Sequence, residues 1–271
     1  MKASRGVPFV WYALAAALVA LYVNMFALWR GLSGLVGDAA GNVPYGVTLL
    51  VLAGLGVVAV RGGRTRTRTE WFIVACALVC AAIGLLATDP EFPSKRIHIP
   101  QYIALVLVVR RGLSSRLSGW PLTLSGWVIT VVLGCHDELI QGFHPQRTFG
   151  LADVLTNAWG AAAGSLLAHG FGWMDTGRAN GTAPSSAVLL ATLCVLVGFG
   201  LELIALNAFK EAVLPYWAMM PLLGGVLAWT CADAVSRYGD GWRHALGVLV
   251  FLAGLAALYP VISHVAPLAF N

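Results

Sequence analysis

Long apolar runs separated by short polar segments leave this chain few ways to fold. Nine runs are expected to span a membrane: 9–29, 44–60, 71–87, 99–109, 119–136, 151–172, 186–207, 213–232 and 244–264. Charged residues make up only 11% of the 271 positions, against about 25% in a soluble domain. So little charge leaves a water-facing surface uncovered, and lipid is the expected main solvent. Backbone groups in lipid need internal partners, which restricts the chain to helix bundles or closed barrels. The runs are continuous and lack the period-2 alternation of barrel strands. The sequence therefore predicts an all-α, polytopic transmembrane helix bundle. The first run follows Lys2 and Arg5, is longer than a signal-peptide core, and is expected to be a retained helix.

The positions of Lys and Arg predict the orientation. With the N-terminus in the cytoplasm, Lys2, Arg5, Arg61, Arg64, Arg66, Arg68, Arg110, Arg111, Arg116, Arg178, Arg237 and Arg243 lie inside. Arg30, Lys95, Arg96, Arg147 and Lys210 lie outside, so the cytoplasmic side holds twelve of the chain's 17 cations. The net charge of +5 thus follows from topology and anionic headgroups, and no nucleic-acid partner is expected. Five cysteines, dispersed in or beside apolar runs, form no disulfide framework. The Gly-, Ala-, Asn-, Thr- and Ser-rich stretch 175–186 reads as a flexible cytoplasmic linker.

Two outward segments concentrate the chemistry. One is Asp89-Pro90-Glu91-Phe92-Pro93-Ser94-Lys95-Arg96-Ile97-His98; the other runs from His136 to Arg147 and continues through Asp153 and Asn157. The apolar run after His98 gives roughly 16 Å of helix, against a hydrocarbon core of ~30 Å. His98 is therefore expected at or below the interface, and the helix from residue 119 must continue through His136, Asp137 and Glu138. Asp137, Gln141 and His144 share one helical face, with Glu138 beside Gln141. Asp153 and Asn157 lie one turn apart, on a face that Gly160 and Gly164 continue. His136 and His144 are expected to face solvent.

Three chemistries fit this set. His98 with Asp137 or Glu138 supplies a general base and its orienting partner. His98, Asp137, Glu138 and Asp153 instead offer metal ligands, although no tight ligand spacing accompanies them. Lys95 and Arg147 suit a phosphate, with Gln141, Asp153 and Asn157 as further substrate-binding groups. Against all three stands the reading that intramembrane polar residues pair across helices and fix a fold.

The pattern of these residues resembles the VanZ-like membrane proteins. Lys95-Arg96-Ile97-His98 is similar to that family's Lys-x-x-His helix opening. Asp137 to Arg147, then Asp153, Asn157 and Gly160, are similar to its Asp-Glu-x-x-Gln-x-Phe-x-Pro-x-Arg and Asp-x-x-x-Asn-x-x-Gly stretches. Ser94 stands where the family often has Asp, and His136 where it commonly has an apolar or small residue. The resemblance implies a VanZ-like four-helix region over 70–172, between two N-terminal helices (1–69) and, after a linker (173–186), three C-terminal helices (187–271). It implies a bacterial cytoplasmic (inner) membrane protein with a cell-envelope role touching lipids or cell-wall precursors. The family is named for a bacterial protein linked to teicoplanin resistance.

Three functions follow as alternatives. The first is an enzyme acting on a lipid or lipid-linked substrate at the outer leaflet, with His98, Asp137 and Glu138 as acid–base groups and Lys95 and Arg147 holding a phosphate. The second is a non-catalytic binder or transporter of an amphipathic molecule. The third is an assembly subunit, for which the ten tryptophans and Glu202, Lys210 and Glu211 supply contacts to partner membrane proteins.

Overall fold

The computed structural model describes residues 7–89, 91–144, 147–175, 186–209, 212–235, 240–265 and 270. The linker residues 176–185 and Lys210 and Glu211 lie outside the described residues. Among the described residues the fold is all-helical: α1 (Val7–Val23), α2 (Met25–Val36), α3 (Val43–Arg61), α4 (Arg68–Ala87), α5 (His98–Leu113), α6 (Gly119–Gly142), α7 (Leu151–Gly170), α8 (Ser186–Ala208), α9 (Met220–Val235), α10 (Asp240–Ala256) and α11 (Tyr259–Val265). Among the described residues three helical stretches, Met25–Arg61, Arg68–Ala87 and Trp242–Val265, are long and apolar enough to cross a membrane. They leave large apolar side chains exposed, among them Leu49, Leu50, Phe72, Leu86 and Phe251. Water penalises such a surface, whereas lipid does not.

Local chemistry sets several boundaries. The apolar run 9–29, read as one helix from its composition, is broken at Asn24. There the side-chain amide donates to the carbonyl of Ala20 (2.8 Å), competing with the helix's own backbone bonding. Pro44 occupies the first turn of α3, where its missing N–H costs nothing. Thr67 opens α4 with a capping box: the Glu70 N–H donates to its hydroxyl, and its own N–H donates to the Glu70 carboxylate. Thr67→Ala is expected to lower stability by about 1 kcal/mol, measured by thermal unfolding in detergent. An unchanged midpoint contradicts a role for the cap.

The chain forms two compact units: Met1–Gly134 with Ala152–Gly177, and Cys135–Leu151 with Arg178–Asn271. In the first unit, α7 lies tight against α5. A Cβ on Gly160 would come within 2.9 Å of the Ile99 carbonyl oxygen, and one on Gly164 within 2.9 Å of the Ile103 Cα. Small residues at i and i+4 thus give the close approach expected of their face, and the partner is α5. On the other side of α5, the Tyr22 hydroxyl of α1 donates to the carbonyl of Gln101 (2.9 Å).

In the second unit, α8 and α9 cross through two glycines. Gly198 faces the Pro221 carbonyl and the Leu222 Cα, while Gly225 faces the Cys194 carbonyl and the Val195 Cα. Phe270 packs against Phe143 and Phe149, and its N–H donates to the carbonyl of Ala212 (3.2 Å). A Cβ on Gly142 would overlap the Phe270 ring, so a larger residue at this position of α6 displaces that ring.

Candidate functional site

The predicted site residues are positioned within each unit by local geometry. In the first unit, a short 3-10 turn, Pro93–Ile97, delivers Lys95 and leads into α5, which starts at His98. The Lys95 ammonium pairs with the Asp153 carboxylate at 2.9 Å, the Asp153 side chain being 7% exposed and that of Lys95 33%. Asp153 sits in the first turn of α7, where the helix dipole also favours a negative charge. His98 is buried, with its ring 6.2 Å from that of Tyr102. One turn below Asp153, Asn157 is wholly buried, and among the described residues neither amide atom has a hydrogen-bond partner. Gly134 leaves room here: a Cβ on it would meet Tyr102 at 3.0 Å and Asn157 at 3.1 Å.

In the second unit the end of α6 carries a connected polar chain. The helix runs through His136, Asp137 and Glu138 to Gly142, the continuation that the sequence predicts. Asp137 and Glu138 are each 0% exposed. The Gln141 side-chain amide donates to the Asp137 carboxylate (2.9 Å), across one helical turn. Arg147 donates to the carbonyl oxygen of the same Gln141 side chain. This order fixes the orientation of the Gln141 amide, since its oxygen serves Arg147 and its nitrogen serves Asp137. The backbone N–H of Gly150 donates to Glu138 (3.3 Å). Pro145 and Gln146, also part of the predicted motif, lie outside the described residues.

Two features differ from expectation or escape it. His136, read as solvent-facing, is buried: its Nε2 bonds the Leu252 carbonyl (2.9 Å) and its Nδ1 the Tyr259 hydroxyl (3.1 Å). Because the carbonyl only accepts, Nε2 carries the proton and Tyr259 donates to Nδ1. Long-range partners on α11 and near the end of α10 stabilise a side chain that its local sequence would place in water. Arg110, which the sequence marks only as a cytoplasmic-side charge, is buried in the first unit. Its guanidinium donates to the hydroxyls of Thr123 (3.0 Å) and Ser165 (3.2 Å), and Thr123 also bonds His169 (2.8 Å). A pair of hydroxyls on α6 and α7 facing a cation from α5 was the available signal, visible only once the helices are packed.

Comparison of the chain with protein-family models, with curated proteins and with solved structures finds no match.

Proposed function

We propose that this chain is a VanZ-like, nine-span protein of the bacterial cytoplasmic membrane, N-terminus inside, acting on a lipid or lipid-linked substrate at the outer leaflet. The observation that carries the reading is the pair of adjacent acids, Asp137 and Glu138, wholly buried at the end of one apolar helix. Ionisable groups at such a place are costly, and they are retained where they face a polar cavity, a partner or a substrate. The hydrogen bonds to Asp137 and Glu138 preorganise them, as acid–base work requires. In this assignment His98, Asp137 and Glu138 move protons. Arg147 and Lys95 recognise the phosphate of the headgroup or carrier, with Gln141, Asp153 and Asn157 as polar contacts. Lys95 reaches a phosphate only by sharing or exchanging its Asp153 partner, and Arg147 does so from a guanidinium already bonded to Gln141.

Reconstitution of the full chain into vesicles containing bacterial phospholipids and a polyprenyl-phosphate-linked precursor tests this directly. Mass spectrometry of the lipids is expected to show a product with the wild type and none with His98→Ala or Glu138→Gln, both folded as judged by gel filtration and circular dichroism. Undiminished turnover in both variants overturns the assignment. Substrate that crosses the bilayer chemically unchanged favours a transporter instead.

A further inference from the structure

The second unit holds a buried acid outside the constellation just described. Glu202 lies in the apolar helix α8 and is 0% exposed. Both of its carboxyl oxygens lack a hydrogen-bond partner, and it enters no ion pair among the described residues. The sequence suggests a contact residue near a helix end; the structure puts it in the packed interior. It shares a helix face with Val195, Gly198, Phe199 and Leu206, and Gly198 is where the α9 backbone comes closest.

Among the described residues, no neighbouring group donates to the carboxyl or pairs with it. Tyr259 of α11 and Cys135 of α6 lie within electrostatic reach of it, and Glu138 is also in reach of that thiol. The Tyr259 proton is committed to His136, whose other nitrogen is committed to the Leu252 carbonyl. Where α9 approaches Gly198, its nearest atoms are those of Pro221 and Leu222. An isolated carboxylate in such surroundings loses its hydration without gaining a donor or a countercharge. Among the described residues, what is left to balance it is a small cation held by the carboxyl itself.

We propose that Glu202 is the binding group of a small exchangeable cation, a proton or an alkali-metal ion, within the second unit. The proposal is independent of the lipid-directed reading and survives its failure.

Infrared difference spectra of the full chain in lipid nanodiscs, wild type minus Glu202→Gln, distinguish the two cations. A protonated-carboxyl band that is lost in the variant and shifts in D2O identifies a proton. A carboxylate band that moves when NaCl replaces choline chloride identifies an alkali ion. A protonated band that never exchanges with D2O overturns the proposal, as does a carboxylate band indifferent to the cation. If Glu202→Gln does not fold, the wild type alone serves. Labelling of Glu202 by dicyclohexylcarbodiimide, mapped by peptide mass spectrometry, is then expected at neutral pH and lost at raised pH or with added NaCl. No labelling, or labelling insensitive to both, overturns it.

Discussion

Gly164→Val is expected to destabilise the first unit by about 3 kcal/mol, enough to prevent recovery of folded protein if its stability is marginal. The Cβ alone would lie 2.5 Å from the Val106 Cγ1 and 2.9 Å from both the Cα and the carbonyl oxygen of Ile103. The Val106 methyl can rotate away, but the α5 backbone at Ile103 can move only if α5 and α7 separate. Gly160, one turn earlier, faces the Ile99 carbonyl in the same way, so the contact is a seam and not a point. Gly54 on α3 has nothing within 4 Å of its would-be Cβ and serves as the control. Gly54→Ala is expected to be neutral or to stabilise by up to about 1 kcal/mol through helix propensity. Thermal unfolding in detergent compares the two, and equal midpoints contradict the packing described for α5 and α7.

Lys95→Met is expected to cost about 2 kcal/mol, below the 3–5 kcal/mol typical when a fully buried pair loses one member, because the Lys95 side chain is one-third exposed. The cost arises at Asp153, left nearly dry with its negative charge and without the ammonium at 2.9 Å. Lys95→Met combined with Asp153→Leu is therefore expected to recover much of the loss, since the uncompensated charge is gone. The double-mutant cycle also separates two roles of Lys95. If it serves only to hold an anionic substrate, the single substitution weakens substrate binding and leaves stability unchanged.

Much of this architecture was legible because membrane physics acts locally. Long apolar runs without period-2 alternation read as helices from their own residues, and the run from residue 119 continues as helix through Asp137 and Glu138 to Gly142 as expected. The periodic spacing that puts Gln141 one turn from Asp137 predicts their hydrogen bond in the same way. The unread features depend on groups distant in the chain. His136 is buried because of a tyrosine 123 residues later, and Arg110 because of a serine 55 residues later. The break at Asn24 is local, but one polar residue in an apolar run carries little signal against the hydrophobicity around it. Glu202 looked like an end residue because its depth depends on how α8 packs within its unit.

In the proposed function, buried Glu138 and its neighbours engage a lipid or a lipid-linked molecule. The most direct measurement purifies the wild type and Glu138→Gln in mild detergent and identifies every co-purifying lipid and protein by mass spectrometry. A particular lipid species enriched with one form and altered in amount or structure between the two is the expected result. Bulk lipid alone in both samples, with the same stoichiometric protein partners, contradicts the claim and makes the polar chain from Arg147 to Asp137 part of an assembly subunit's scaffold.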